Sequence, residues 1–141
     1  MRVLIVEDEL HLAAAVQEGL RLAAVPADTV HDGETALQHL AATGYDIVVL
    51  ERDTPVIHGE VLCRLIHTRH PCCRVLMLTT TGRLDDEVTE IGLGADDYLA
   101  RPFGVPEIIT RLRELFGFSS APCTGDEAPQ APSPWRSLFR A

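Results

Sequence analysis

Asp46-Ile47-Val48-Val49-Leu50-Glu51 is a short apolar run that ends in a carboxylate. Gly44 bounds it on one side, Pro55 and Gly59 on the other. The run is too short for a helix and rich in β-branched residues, so it reads as a strand buried on both faces. Glu51 is its last residue. In open parallel α/β sheets, ligands bind outside the carboxyl ends of the strands, so a charge placed there faces a pocket. The plain alternative is a strand-end Glu that points into water.

Upstream of this strand the chain alternates. Arg2 to Val6 is a first apolar strand. Leu10, Leu12, Ala13, Val16, Leu20 and Leu22 then recur at helical spacing, with Gln17, Glu18 and Arg21 on the opposite face, which predicts an amphipathic helix from Glu9 to Ala24 that Pro26 closes. Ala27 to His31 is a strand poorer in apolar residues, as suits a sheet edge. A helix over Gly33 to Ala42 turns Ala36, Leu37 and Leu40 inward, and Gly44 ends it.

Downstream the alternation repeats. A helix from Gly59 to Thr68 carries Val61, Leu62, Leu65 and Ile66. Arg74 to Leu78 is a strand followed by Thr79-Thr80-Thr81-Gly82, which sets hydroxyls at its carboxyl end. A short helix is expected from Asp85 to Leu93, weakened by Gly92 and Gly94. Asp97 to Ala100 is a fifth strand ending in Arg101-Pro102, and Val105 to Phe116 a last helix with Ile108, Ile109, Leu112 and Leu115 on one face. Strict alternation of five strands and five helices implies an α/β fold: a flavodoxin-like, doubly wound, five-stranded parallel sheet, for which we take the order 2-1-3-4-5.

The folded unit is expected to span residues 1–117. Residues 118–141 are a Pro-rich tail with Pro122, Pro129 and Pro132 among small and acidic residues, a composition that buries too little surface to fold. Near its end Trp135, Leu138 and Phe139 share the i, i+3, i+4 spacing of a single apolar turn, too short to be a stable helix alone. No DNA-binding domain is expected within this sequence.

Composition narrows the function. The chain has 141 residues and a formal charge of −9, with 12 Lys and Arg against 21 Asp and Glu. That balance argues against direct nucleic-acid binding, which needs a basic footprint. No leader pattern is visible at Met1, and no apolar run approaches the ~20 residues of a membrane span, so a cytoplasmic protein is expected. Cys63, Cys72, Cys73 and Cys123 make no Cys-x-x-Cys spacing, and reduced thiols are expected.

If the sheet is drawn as above, the carboxyl ends of its strands gather Glu7, Asp8, Glu51, Thr79 and Arg101 around one pocket. Adjacent acids are hard oxygen ligands suited to Mg²⁺. A hydroxyl and a cation opposite them would hold phosphoryl oxygens. A hydrolase on this fold is disfavoured, since Glu7, Asp8 and Glu51 come without a nucleophile and general acid, so no catalytic residues are assigned.

Several segments together resemble the receiver domain of two-component response regulators: Val3-Leu4-Ile5-Val6-Glu7-Asp8, Asp32-Gly33, Asp46 to Leu50 with Pro55 and Gly59, Val75-Leu76-Met77-Leu78-Thr79, and Gly94-Ala95-Asp96-Asp97-Tyr98-Leu99-Ala100-Arg101-Pro102-Phe103. The resemblance covers residues 1 to about 116 in order. The last segment resembles the OmpR/PhoB-type branch, whose receivers precede a winged-helix domain. It implies a phosphoacceptor four residues before Pro55, Mg²⁺ held by Glu7, Asp8 and the acceptor, and a switch formed by Thr79, Tyr98 and the residue before Pro102.

Two departures bear on function. The acceptor, an Asp in the family, is Glu51, and the family's Lys before Pro-Phe is Arg101. One extra methylene moves a carboxylate by about 1.5 Å, and a misplacement of about 1 Å can cost roughly a hundredfold in rate. Arg prefers two oxygens at once, so a bidentate Glu51–Arg101 ion pair is expected. Asp53 is a substitute acceptor only from a loop beyond the strand end. Glu51 could hold the switch, including Tyr98, in either its active or its inactive form.

The resemblance also implies homodimerisation through the face of the fourth helix, fifth strand and fifth helix. Asp97 and Arg111 match one charge pair of that face. The Lys expected opposite Glu107 is Glu87, which replaces an attraction with a repulsion. The expected function is an atypical receiver that works by protein contact, without phosphorylation, with a histidine kinase or downstream regulator as partner and at most weak Mg²⁺ binding. The alternatives are a phosphate-accepting receiver of a phosphorelay and a receiver that senses a small molecule.

Overall fold

The computed structural model describes residues 1–79 and 95–118 of the 141. Within them run β1 (Val3–Val6), α1 (Leu10–Leu22), β2 (Ala27–Val30), α2 (Gly33–Ala42), β3 (Ile47–Glu51), α3 (Gly59–Arg69), β4 (Arg74–Thr79), β5 (Asp97–Ala100) and α4 (Val105–Phe118). All strands pair in parallel, in the order β2-β1-β3-β4-β5. This is the doubly wound α/β sheet expected, with the apolar-poor strand at an edge. The helix expected over 85–93 and residues 119–141 of the expected tail lie outside the described residues, and Phe118, expected to begin that tail, closes α4 instead.

Alternation along the strands feeds two cores. Leu4, Val6, Val48, Leu50, Val75 and Met77 pack with Ala36, Leu40, Leu62 and Ile66 of α2 and α3. Val3, Ile5, Ile47, Val49, Leu76 and Leu78 pack on the other face with Val16 and Leu20 of α1 and Ile108, Leu112 and Leu115 of α4. Because both faces are covered, the strands are continuous apolar runs, as a parallel sheet requires. No helix among the described residues is long and apolar enough to cross a membrane.

Polar side chains set the helix starts. The Glu9 carboxylate accepts from the amides of His11 (3.1 Å) and Leu12 (2.7 Å), so α1 begins at Leu10, one residue later than its apolar spacing predicts. Asp32 accepts from the Thr35 amide at 2.7 Å and its hydroxyl at 3.0 Å. That cap holds the Asp32 carboxyl below its ordinary range, chiefly through the backbone hydrogen bond. The last helix runs two residues beyond the predicted Phe116.

The loop between β3 and α3 is pinned at both ends. A Cβ on Gly59 would come 2.5 Å from the Arg52 carbonyl oxygen, and one on Gly33 would come 2.6 Å from the Ile57 Cβ. The Pro55 carbonyl accepts from the amides of Gly33 (3.2 Å) and Ile57 (2.9 Å). The second bond spans two residues and closes a tight turn over Val56, whose φ is +72°. A β-branched residue in that region is strained.

Arg74 and Asp96 are buried and lie 3.8 Å apart, and Asp96 also accepts from the Val75 amide at 2.8 Å. Together they tie the start of β4 to that of β5. Cys63 and Cys73 are buried thiols outside any disulfide, and burial pushes the Cys73 thiol up to about 12. Cys72 departs from the expectation of reduced thiols, since it is disulfide-bonded. Its side chain is only half buried, at the turn before β4.

Candidate functional site

Strand register builds the site. Val6 lies opposite Leu50, Glu51 opposite Leu78, and Thr79 opposite Ala100. One residue beyond the β1–β3 ladder, Glu7 therefore stands beside Glu51, on adjacent strands and toward the same sheet face. Arg101 follows β5, its amide donating to the Thr79 carbonyl at 3.1 Å. Register thus sets Glu7, Glu51, Thr79 and Arg101 at the same end of the sheet, with Asp8 exposed at the rim.

Glu7 and Glu51 are each 2% exposed. The Glu9 amide donates to Glu7 Oε2 at 3.1 Å, and the Asp53 amide to Glu51 Oε1 at 3.4 Å. No backbone or basic group donates to the other two oxygens, Glu7 Oε1 and Glu51 Oε2. The two carboxyls are within hydrogen-bonding reach of each other. Burial, with the Glu51 and Asp8 charges adding to it, pushes Glu7 up to about 8. Glu51 is raised as well, mainly by burial and against the pull of the Asp53 amide and Arg101. A neutral Glu7 that donates to an ionised Glu51 satisfies both orphaned oxygens at neutral pH.

The bidentate Glu51–Arg101 pair is not formed. One guanidinium nitrogen comes only to 4.0 Å from Glu51 Oε2, and the Arg101 side chain stays 39% exposed. Its guanidinium lies 5.4 Å from the centre of the Phe103 ring, and this stacking holds it at the mouth of the site. Phe103 is thus a site residue that charge-based reading passes over, although it stands two residues after Arg101. A cleft of about 380 Å³ lined by Leu12, Arg101, Pro102 and Phe103 opens there.

As donors, Glu7, Asp8 and Glu51 suit a hard divalent cation, but their arrangement does not. Among the described residues no three acidic, His or Cys side chains converge closely enough to hold a metal ion. Glu7 gives one oxygen to a backbone amide and turns the other toward Glu51.

Of the switch residues, Thr79 is fully buried and Tyr98 is 9% exposed, packed with the core that includes Met77 and Ala95. Asp97 and Arg111 pair within the chain: Arg111 Nη1 donates to both carboxylate oxygens, at 2.9 and 2.8 Å, and lies 3.3 Å from the Tyr98 carbonyl oxygen. That pair raises the Arg111 pKa. Glu107 is exposed on α4, and Glu87 lies outside the described residues.

A family profile described as the response regulator receiver domain matches residues 3–113. The transcriptional regulatory protein CutR of Streptomyces coelicolor is 48% identical over 122 residues, which are 86% of this chain and 56% of that protein. The transcriptional regulatory protein TcrA of Mycobacterium tuberculosis is 37% identical over 115 residues, 82% of this chain and 46% of its own length. The chain therefore spans about half the length of these relatives. The receiver domain of a Francisella response regulator shares the fold, with a TM-score of 0.78 at 23% identity over 82% of this chain and 96% of that one. With the sheet order and this match over most of its length, the chain belongs to the receiver domain family of two-component response regulators.

Proposed function

We propose that this receiver works through protein contact without being phosphorylated, with Glu51 standing where the family's acceptor would be. The carrying observation is the Glu51 carboxyl itself, buried and turned toward Glu7 instead of presented at the pocket mouth. An in-line attack on an incoming phosphorus needs an accessible oxygen held within a few tenths of an ångström. The cation that would steady the phosphoryl group, Arg101, is drawn outward over Phe103.

Burial of Tyr98 supports an active-like resting arrangement of the switch, reached without a phosphoryl group. In this reading the partner is a histidine kinase or a downstream regulator in the cytoplasm, and the output is transcriptional control, as the names of the relatives suggest. Residues 1–118 make no direct nucleic-acid contact in this role. The face around β5 and α4, with Asp97, Glu107 and Arg111, is the contact surface, for a second copy or for a basic partner that answers Glu107.

Intact-protein mass after incubation with acetyl phosphate and Mg²⁺ tests the reading, with a Glu51→Asp, Arg101→Lys double variant as positive control. The control should gain a phosphoryl mass and the native chain should not. Labelling of the native chain, on Glu51 or Asp53, would show a phosphate-accepting receiver instead.

A further inference from the structure

We infer that Glu51 closes the acidic pocket to divalent cations: its carboxyl, carried one methylene further than an Asp would reach, lies against Glu7 and engages the oxygen that Glu7 would otherwise turn toward a metal. This deepens the proposed function and rests on it for the assignment of position 51.

The register makes the encounter unavoidable. Val6 pairs with Leu50, so Glu7 and Glu51 are the next cross-strand neighbours, on strands about 4.8 Å apart, with side chains on the same face. Two ionised carboxylates in that relation repel, and burial on both sides removes the water that would screen them. An Asp at position 51 would stop about 1.5 Å short and leave a gap between the carboxyls. With Glu the gap is filled, and each carboxyl finds its partner in the other.

What remains for a cation is poor. Glu7 Oε2 is held by the Glu9 amide and Glu51 Oε1 is near the Asp53 amide. Asp8 is exposed at the rim, and among the described residues no three acidic, His or Cys side chains are arranged to hold a metal ion. A small hard ion such as Mg²⁺ demands near-octahedral oxygens at about 2.1 Å and dehydrates reluctantly, so it does not readily prise apart a buried carboxyl pair. Arg101, 4.0 Å from Glu51 Oε2, supplies positive charge from the open side.

The test uses the full 141-residue chain, uniformly ¹⁵N-labelled, with Mn²⁺ as paramagnetic probe. In the native chain the amides of Glu7, Asp8, Glu51 and Arg52 should broaden no more than those of other exposed acids. In Glu51→Asp the same four amides should broaden selectively, at a Mn²⁺ concentration about tenfold lower or less, and Mg²⁺ should reverse it. The dispersion of each amide spectrum shows in the same experiment that the variant is folded. Selective broadening in the native chain at the concentration that suffices for Glu51→Asp would overturn the inference. So would a folded Glu51→Asp variant that shows none. Phosphoryl labelling is read separately by mass, so a native chain that binds Mn²⁺ but takes no phosphoryl group refutes the closed pocket alone.

Discussion

Replacing Glu7 by Gln should remove a specific part of the pH dependence of stability. The folded chain holds the Glu7 carboxyl at about 8, against an ordinary 4.5, because it is buried and because Glu51 and Asp8 lie beside it. Between those two values the folded state therefore keeps a proton that the unfolded chain has released. The contribution is fully present below pH 4.5 and is lost as the pH rises through 8. At 1.36 kcal/mol per unit the ceiling is about 5 kcal/mol, which local relaxation and water access reduce to about 2 kcal/mol. For a domain of this size that is roughly 8 °C in Tm.

Gln has the shape of a protonated Glu, can donate to Glu51 through its amide, and does not titrate. Thermal unfolding followed by circular dichroism from pH 5 to 8.5 should show the native chain losing about 8 °C more than Glu7→Gln. The other charged groups around Glu7, namely Asp8, Glu51, Asp53 and Arg101, are present in both proteins. So is His31, whose Nδ1 lies 2.9 Å from the Glu7 carbonyl oxygen; only Glu51, which interacts directly with Glu7, is itself affected by the exchange, and Gln still donates to it. Parallel Tm profiles for the two proteins would show that Glu7 is ionised throughout and that no proton is held between the carboxyls.

Gly59→Ala should destabilise by about 2 kcal/mol in urea unfolding, because its methyl group would meet Arg52 backbone atoms that cannot yield. Asp96→Ala should cost about 3 kcal/mol, since it removes the buried carboxylate facing Arg74 and the acceptor of the Val75 amide, and a smaller loss would place that pair among replaceable contacts. Val56→Asn should stabilise by about 0.5 kcal/mol, because Asn tolerates a φ of +72° better than a β-branched residue does. Arg101→Ala should change stability by less than about 1 kcal/mol, as befits one long, half-exposed ion pair, and a larger loss would restore a strong Glu51–Arg101 bond.

The apolar runs and the amphipathic spacing made the described strands and helices legible, because a sheet covered on both faces leaves few other places for Ile47 to Leu50 or Val75 to Leu78. The weak apolar content of residues 27–31 was enough to place β2 at an edge. The pocket was legible too, since parallel strands deliver their carboxyl-terminal residues to one end. Less legible was the partner of Glu51. Charge alone favours Arg101. The choice turned on the register one step past the β1–β3 ladder and on Phe103, which offers the guanidinium another seat. The burial of Arg74 was not legible, because its partner Asp96 is 22 positions away and is met only when β4 and β5 align. The start of α1 was missed by a residue because a Glu, an uncommon cap, takes that place at Glu9. The ends of helices depend on such local bonds more than on apolar period.

The loop from Arg52 to Gly59 has a consequence for how this protein can vary. Its two anchors, Gly33 on Ile57 and Gly59 on Arg52, leave no room for even a methyl group, and the Pro55 carbonyl fixes the span between them. One inserted residue would add about 3.5 Å of chain and unseat at least one anchor. The segment is therefore fixed in length, and the exposed Val56 at its crest is limited by its φ of +72° to residues that accept that backbone, Gly and Asn above all.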